Sequence, residues 1–339
     1  MVLAVVAGAC TKSSGSATNA QPIDLYAAEP SLADVRSMLG DSNWWPGPPS
    51  FGVRPLDAAS MPLQQRFTII QRFVHIGTAE TFDVEFALWA TTSAATTQMT
   101  NIQTAFGTSA SGPKVGDQAL YYGSQLSGGA PYATETIVRI GQIVVALSWA
   151  RKDGFPKVAQ MGKNATKVVA RVKDLIAGKV HGSALPTTDS ALLPAAGLDL
   201  TTLGSARIPV EAALVMLDLP ALEAMAQILH GGGVSDIVFA DYALDTDTHM
   251  EVRAAVFKFQ AARDATAWLD LLRGAYPLDQ DGVASFYDGS HGDYQFLLAS
   301  GTQVGLLICR STSSVEAASR SCEAPVSRVA SAWKLNLAG

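Results

Sequence analysis

The feature that most constrains this chain is that it repeats itself. Phe82, Val84 and Phe86 alternate through 80–90 with the two-residue period of a strand. Ala95, Met99, Ile102 and Phe106 follow at +4, +3 and +4, the spacing of one helix face. A shift of 170 residues turns these into Val252, Ala254 and Val256, then Ala265, Leu269, Leu272 and Tyr276, apolar or aromatic at every position. At a shift of 166, Tyr121 and Gly123 meet Tyr287 and Gly289. The strand pair around Gly141 (135–139 and 142–148) meets the pair around Gly301 (293–299 and 303–309). The last helix face is Val158, Met161, Ala165, Val169, Val172 and Ile176. It returns 157 residues later as Val315, Ala318, Cys322, Val326, Val329 and Trp333. The shrinking shift puts about thirteen lost residues into predicted loops, where deletion costs little. Six matched elements in one order read as a tandem duplication.

One further strand lies upstream in each copy, at 66–77 and 236–244, so a unit reads ββαβββα. Strands joined mostly by hairpins predict an antiparallel sheet. The expected fold class is therefore α+β: two tandem repeats, each an antiparallel sheet of about five strands with two helices covering one face. The boundaries predicted are 61–180 for the first repeat, 181–234 for a linker and helix, and 235–339 for the second repeat. Within the linker, 217–230 reads as a helix with Pro220 near its start and Gly231 to Gly233 as its stop. Pro325 is expected to kink or restart the final helix. The length of 339 residues suits two domains, and 48% hydrophobic against 16% charged residues excludes a disordered chain. A net charge of −6 offers no basic field for nucleic acid. No apolar run is long enough for an internal membrane span.

The first ten residues, Met1 to Cys10, are apolar or small up to a cysteine, and Thr11 to Ala20 is rich in Ser, Thr, Gly and Ala. This resembles the end of a bacterial lipoprotein signal peptide. Two departures stand out: Ala7 replaces the usual larger aliphatic residue three before the cysteine, and the first lysine, Lys12, follows it. An upstream start codon or a clipped terminus is the expected repair. The resemblance implies lipidation at Cys10, with 1–21 serving as signal remnant and flexible tether, and a chain anchored to the outer face of a membrane or cell envelope. The layout from Arg66 onward is similar to extracytoplasmic sensor-like and ligand-binding domains of bacterial lipoproteins, at the level of architecture only. Cysteine usage agrees with export. Setting Cys10 aside leaves Cys309, at the end of a predicted strand, and Cys322, on a predicted helix beginning near Ser313, expected as a disulfide.

Candidate chemistry is sparse. Ser290 and His291 lie between Asp288 and Asp293, but neighbours in sequence rarely converge as a triad, and the string reads as a turn. The five histidines lack metal-ligand spacing; His75 reads as an ordinary strand residue. Asp241, Asp245, Asp247 and Glu251, and separately Asp279 and Asp281, are acidic turn clusters weighed as calcium ligands and read as turn chemistry. No catalytic residue, metal or cofactor is expected. The segment 22–60 is Trp/Pro-rich: Trp44 and Trp45 precede Pro46, Pro48 and Pro49, with Phe51 beyond. These aromatics are either partner contacts or staples onto the first sheet. Upstream, Ser31 as N-cap before Leu32, Val35 and Leu39 predicts a short helix that orders the segment. The functional expectation is a non-enzymatic lipoprotein that binds a small ligand, lipid or protein partner, through the inter-repeat interface or Trp44–Phe51. The alternatives are a structural envelope protein, or a secreted hydrolase whose site assembles only in three dimensions.

Overall fold

The computed structural model describes residues 19–52, 65–125, 130–195, 198–217, 219, 221–289, 292–311 and 321–337. Cys10, Ser290, His291, Val315 and Ala318 lie outside them. The chain opens with α1 (Pro22–Ala28) and α2 (Leu32–Leu39). The first repeat runs β1 (Trp44–Gly52), β2 (Gln65–His75), β3 (Thr81–Trp89), α3 (Thr92–Phe106), β4 (Gln118–Gln125), β5 (Tyr132–Ile140), β6 (Ile143–Arg151) and α4 (Val158–Ile176). The short α5 (Thr187–Ser190) bridges to the second repeat. There, β7 (Leu200–Pro209), α6 (Val210–Met216), α7 (Leu222–Gly231), β8 (Asp236–Leu244) and β9 (Asp247–Lys258) lead to α8 (Ala262–Arg273), β10 (Val283–Asp288), β11 (Asp293–Ser300), β12 (Gln303–Ser311) and α9 (Glu323–Leu337).

Each repeat forms one six-stranded sheet, ordered β1-β2-β3-β6-β5-β4 and β7-β8-β9-β12-β11-β10. All neighbouring strands are antiparallel, and the second order is the first repeated, so the duplication holds in topology. The matched hairpins turn at Gly141 and Gly301. Ile140 pairs with Ile143 and Ser300 with Gln303, which leaves two residues to reverse the chain. The glycines supply the positive φ such turns need, +57° and +56°.

Two expectations need correction. Each sheet has six strands where about five were expected, because β1 and β7 join as edge strands outside the expected repeat boundaries. The prolines of β1 argue against a strand only in a sheet interior; at an edge the missing N–H donors face no partner. β1 pairs with β2 alone and shifts register between Pro46 and Pro49. The two main helices of each repeat also lie on opposite faces of the sheet, not on one. In the first repeat, Ala95 and Met99 of α3 pack with Ala87, Trp89, Leu120 and Val144. Met161, Val168 and Val172 of α4 share the other core with Phe82, Val84, Phe86 and Val145. In the second, α8 packs with Phe257, Leu306 and Ile308, and α9 with Val252, Leu307 and Cys309. A strand covered on both sides must be apolar at consecutive positions. Phe86, Ala87, Leu88 and Trp89 are all buried.

The remaining elements follow local chemistry. Ser31 caps α2: its Oγ accepts the Asp34 N–H at 3.2 Å, and the Asp34 carboxylate accepts the Ser31 N–H at 2.9 Å. Where one helix was expected over 217–230, α6 already ends at Met216 and α7 starts at Leu222. Gly231, Gly232 and Gly233 do terminate α7. Pro325 falls in the first turn of α9, where the backbone has no earlier carbonyl to donate to.

Candidate functional site

Trp44, Trp45 and Phe51 do not form an exposed patch. They are 1%, 7% and 2% exposed. The Trp44 ring stands edge-on to His75 at 5.3 Å, and Phe51 meets Tyr26 of α1 at 5.7 Å. As residues of β1 they close the first core, so they do not present themselves to a partner. His75 lies 3.1 Å from the Asp41 carboxylate, a contact within the fold.

The interface between the repeats, the other expected binding place, is filled where β1 meets the second sheet. A Cβ added at Gly204 of β7 would come within 2.5 Å of the Phe51 ring. The apolar core runs on from the α4 side of the first sheet through Phe51, Ala206, Ile208 and Leu214 to the α8 side of the second. Inside this junction lies a charged network that composition did not suggest. The Phe51 N–H donates to Asp241 Oδ2 at 2.7 Å, and Ser50 Oγ donates to Glu251 Oε1 at 3.2 Å. Arg253 Nε lies 3.2 Å from Asp241, and its Nη2 donates to Glu251 at 3.2 Å. Arg310 donates from Nε and Nη2 to Glu251 Oε2, both at 3.0 Å.

Burial pushes Asp241 up to about 7, against the pull of Arg253, with Glu251 adding to the rise. Glu251 is also desolvated, but Arg253 and Arg310 outweigh this and hold it down near about 2. A carboxyl titrating near neutrality is what acid–base catalysis uses. Asp241, however, is 0% exposed, and its Oδ2 accepts the Phe51 N–H of the first repeat. Its role is to join the repeats. The acidic residues weighed for calcium are thus divided between two uses: Asp241 and Glu251 serve arginines, while Asp245 accepts from Thr201 Oγ1 at 2.6 Å. Asp279 accepts the N–H groups of Asp281 and Val283, both at 2.9 Å, as ordinary turn chemistry. Among the described residues no group of three or more metal-ligating side chains comes together.

An open groove of about 310 Å³ lies elsewhere, between α2 and α4. Pro30, Met38, Val168 and Ala170 supply its apolar lining, with Ser37, Asp34, Lys167 and Arg171 as polar groups. It arises because α2 is pinned across α4. Gln160 Nε2 donates to the Met38 carbonyl at 3.1 Å. Arg171 donates to the carbonyls of Ala28 and Ala27 at 3.0 and 3.1 Å, and to Asp34 at 3.3 Å. Burial works against the ionised form of Asp34, but Ser31, Arg171 and Lys167 together hold its carboxyl below the usual range. Beside Pro30 is Glu29, 5% exposed, with neither carboxyl oxygen hydrogen-bonded. Burial pushes it well above the usual range, opposed by Arg171 and reinforced by Glu85. Sequence reasoning missed this groove, since its two walls are more than a hundred residues apart and each reads as an ordinary amphipathic helix.

Cys309 and Cys322 are bridged, with Cα atoms 6.0 Å apart. Cys322 sits just before α9, and its carbonyl accepts the Val326 N–H at 3.0 Å. Such bridges belong to oxidising compartments outside the cytoplasm. Among the described residues no helix is long and apolar enough to cross a membrane. No protein-family model matches the chain, and no curated protein matches it. Two solved structures are distantly similar. The extracellular domain of PknH from Mycobacterium tuberculosis is 13% identical, with 45% of this chain and 97% of that chain covered and a TM-score of 0.36. DynU16, from the dynemicin biosynthetic locus, is 11% identical, with 87% of this chain and 97% of that chain covered and a TM-score of 0.14. At these scores neither likeness bears on function.

Proposed function

We propose that the chain is a lipid-anchored extracytoplasmic binding protein that catalyses nothing, with its ligand site in the groove between α2 and α4. One observation carries the reading. Among the described residues, the titrating cluster around Asp241 is sealed, while the open groove combines an apolar lining with three charged side chains. Binding sites have this make-up: a mostly apolar cleft, at the small end of the usual size range, with a few fixed polar groups. The Cys309–Cys322 bridge supports export, and the run ending at Cys10 supports an anchor. Anchoring through acyl chains would leave the whole fold outside the membrane.

The test is fractionation of cells expressing the full chain and its Cys10→Ala variant, with metabolic labelling by radioactive palmitate. The expected result is label and membrane association for the parent chain, and loss of both in the variant. A variant that stays labelled and membrane-bound would overturn the anchor.

A further inference from the structure

We propose that the α2–α4 groove takes an amphiphile with an anionic head, carboxylate or phosphate, and a short apolar body; this rests on the groove being the ligand site. Lys167 and Arg171 are four residues apart on α4, so they project from one face of the helix. Facing them across the groove is a single acid, Asp34. That acid is already committed: it accepts from Ser31 in the cap of α2 and from Arg171. The groove therefore carries an excess positive charge on a chain whose net charge is −6.

The two cations are not equivalent. Arg171 uses Nε, one Nη1 and one Nη2 hydrogen on Asp34 and the α1 carbonyls. A guanidinium has five N–H donors in a fixed fork, so two remain for an incoming oxyanion, already oriented. Lys167 is exposed and can follow the head. Beneath them Val168 is 0% exposed and Met38 5% exposed, a firm apolar floor with an adaptable thioether. A head on the cations puts the first methylenes of a tail over that floor. The volume of about 310 Å³ admits a head and a short stretch of chain, not a whole lipid. A neutral polar ligand would leave the cationic edge unmatched, and a cation would meet it head-on.

Glu29 adds to the argument. Burial without a hydrogen-bonding partner disfavours the charged form of this carboxyl, which weakens its opposition to the positive charge of Arg171 nearby.

The experiment uses the full chain carrying Cys10→Ala, which removes the attached lipid, titrated calorimetrically with decanoate, decyl phosphate and decanol. Vesicles of phosphatidylglycerol form a fourth arm. Two further variants separate the claims. Ser37→Trp fills the groove from an exposed position on α2, and Lys167→Ala removes the mobile cation. The proposal expects decanoate or decyl phosphate to bind, decanol to bind at least tenfold more weakly, and Lys167→Ala to weaken the anion about fivefold, the effect of one exposed charge. Ser37→Trp should abolish binding with melting unchanged. Binding to vesicles but to neither soluble anion assigns the head to membrane lipid; binding to the soluble anions assigns it to a free amphiphile. Equal affinity for decanol and decanoate, with Ser37→Trp still blocking both, would keep the groove as the site and overturn its anion preference. Binding unaffected by Ser37→Trp, or none in any arm, would overturn both readings.

Discussion

The charged network between the repeats makes the stability of this protein depend on pH in an unusual direction. The Asp241 carboxyl is sealed at the junction, facing Arg253 and Glu251 from β9, Arg310 from β12 and the Phe51 N–H from β1. Burial raises it from 3.8 to about 7. Between those values the folded chain holds a proton that the unfolded chain has released. That contribution is therefore fully present below about pH 4 and is lost as pH rises through about 7. The shift of roughly three units corresponds to at most ~4 kcal/mol. Glu251 has the opposite sign. Held near about 2 by its two arginines, it contributes ~3 kcal/mol above pH 4.5 that is lost as pH falls toward 2. Glu29, also raised, acts with Asp241. The sum is a stability maximum in mildly acidic solution and a decline toward pH 8. Urea unfolding followed by the fluorescence of the six tryptophans, at intervals from pH 4 to 8.5, measures it. Asp241→Asn keeps an acceptor for the Phe51 N–H and removes the titration, so its profile should lose most of the decline. Glu29→Gln should remove a further part. A parent profile that is flat or rises from pH 5 to 8 would refute the placement of the proton on Asp241.

Two smaller perturbations probe the frame. Replacing Cys309 and Cys322 together by alanine opens a loop with a sequence separation of 13. It should lower the unfolding free energy by roughly 3 kcal/mol in urea, and an unchanged midpoint would mean that the bridge constrains nothing. Trp44→Ala empties one of the largest fully buried sites and should cost about 3–5 kcal/mol. If its melting temperature matched the parent's, the ring would belong on the surface.

Much of this fold was legible because period and burial agree. The alternation at Phe82, Val84 and Phe86 and the buried start of the α3 face, Ala95 and Met99, reappear in the second copy at Val252, Ala254 and Val256 and at Ala265 and Leu269. The sheet order confirms the matched strands. The expected ends of the two helix faces do not reappear, since Phe106 and Tyr276 are exposed and Tyr276 lies beyond the end of α8. What was not legible has physical reasons. β1 contains three prolines, and an edge strand tolerates them where an interior strand does not, so composition alone points the wrong way. The placement of the two helices on opposite faces was signalled by runs such as 86–89, buried at every position, which a search for alternation passes over. At the junction the acids were visible as a cluster around 241–251, but the arginine at 310 belongs to a different hairpin, and only the β9–β12 ladder sets it beside Glu251. The groove depends on contacts between Arg171 and the α1 carbonyls, a pairing with no sequence signal.

The junction also shows what divergence added to the duplication. In the first repeat Arg72 of β2 lies opposite Asp83 of β3; in the second, Asp241 of β8 lies opposite Arg253 of β9. The shift of 170 that aligns β3 with β9 carries Asp83 onto Arg253, so the same cross-strand pair appears twice with its polarity reversed. Arg72 and Arg253 are near enough for each to oppose the other's charge. Apolar packing is non-directional, and two sheets with the same apolar pattern could meet in several registers. Buried polar groups that bond across a junction do not permit that freedom. The charges of Asp241, Glu251, Arg253 and Arg310 pair within the second sheet, but a register that withdraws the Phe51 N–H leaves a buried donor and the Asp241 oxygen short of a partner. Here the register is fixed to the residue: Ser50 serves Glu251, and the very next N–H, that of Phe51, serves Asp241. A slip of one residue would turn Ser50 away and drive the Phe51 ring out of its place against Gly204. The repeated apolar pattern therefore gives each copy its sheet, and the bonds from Ser50 and the Phe51 N–H to the second sheet's acids specify how the two sheets join.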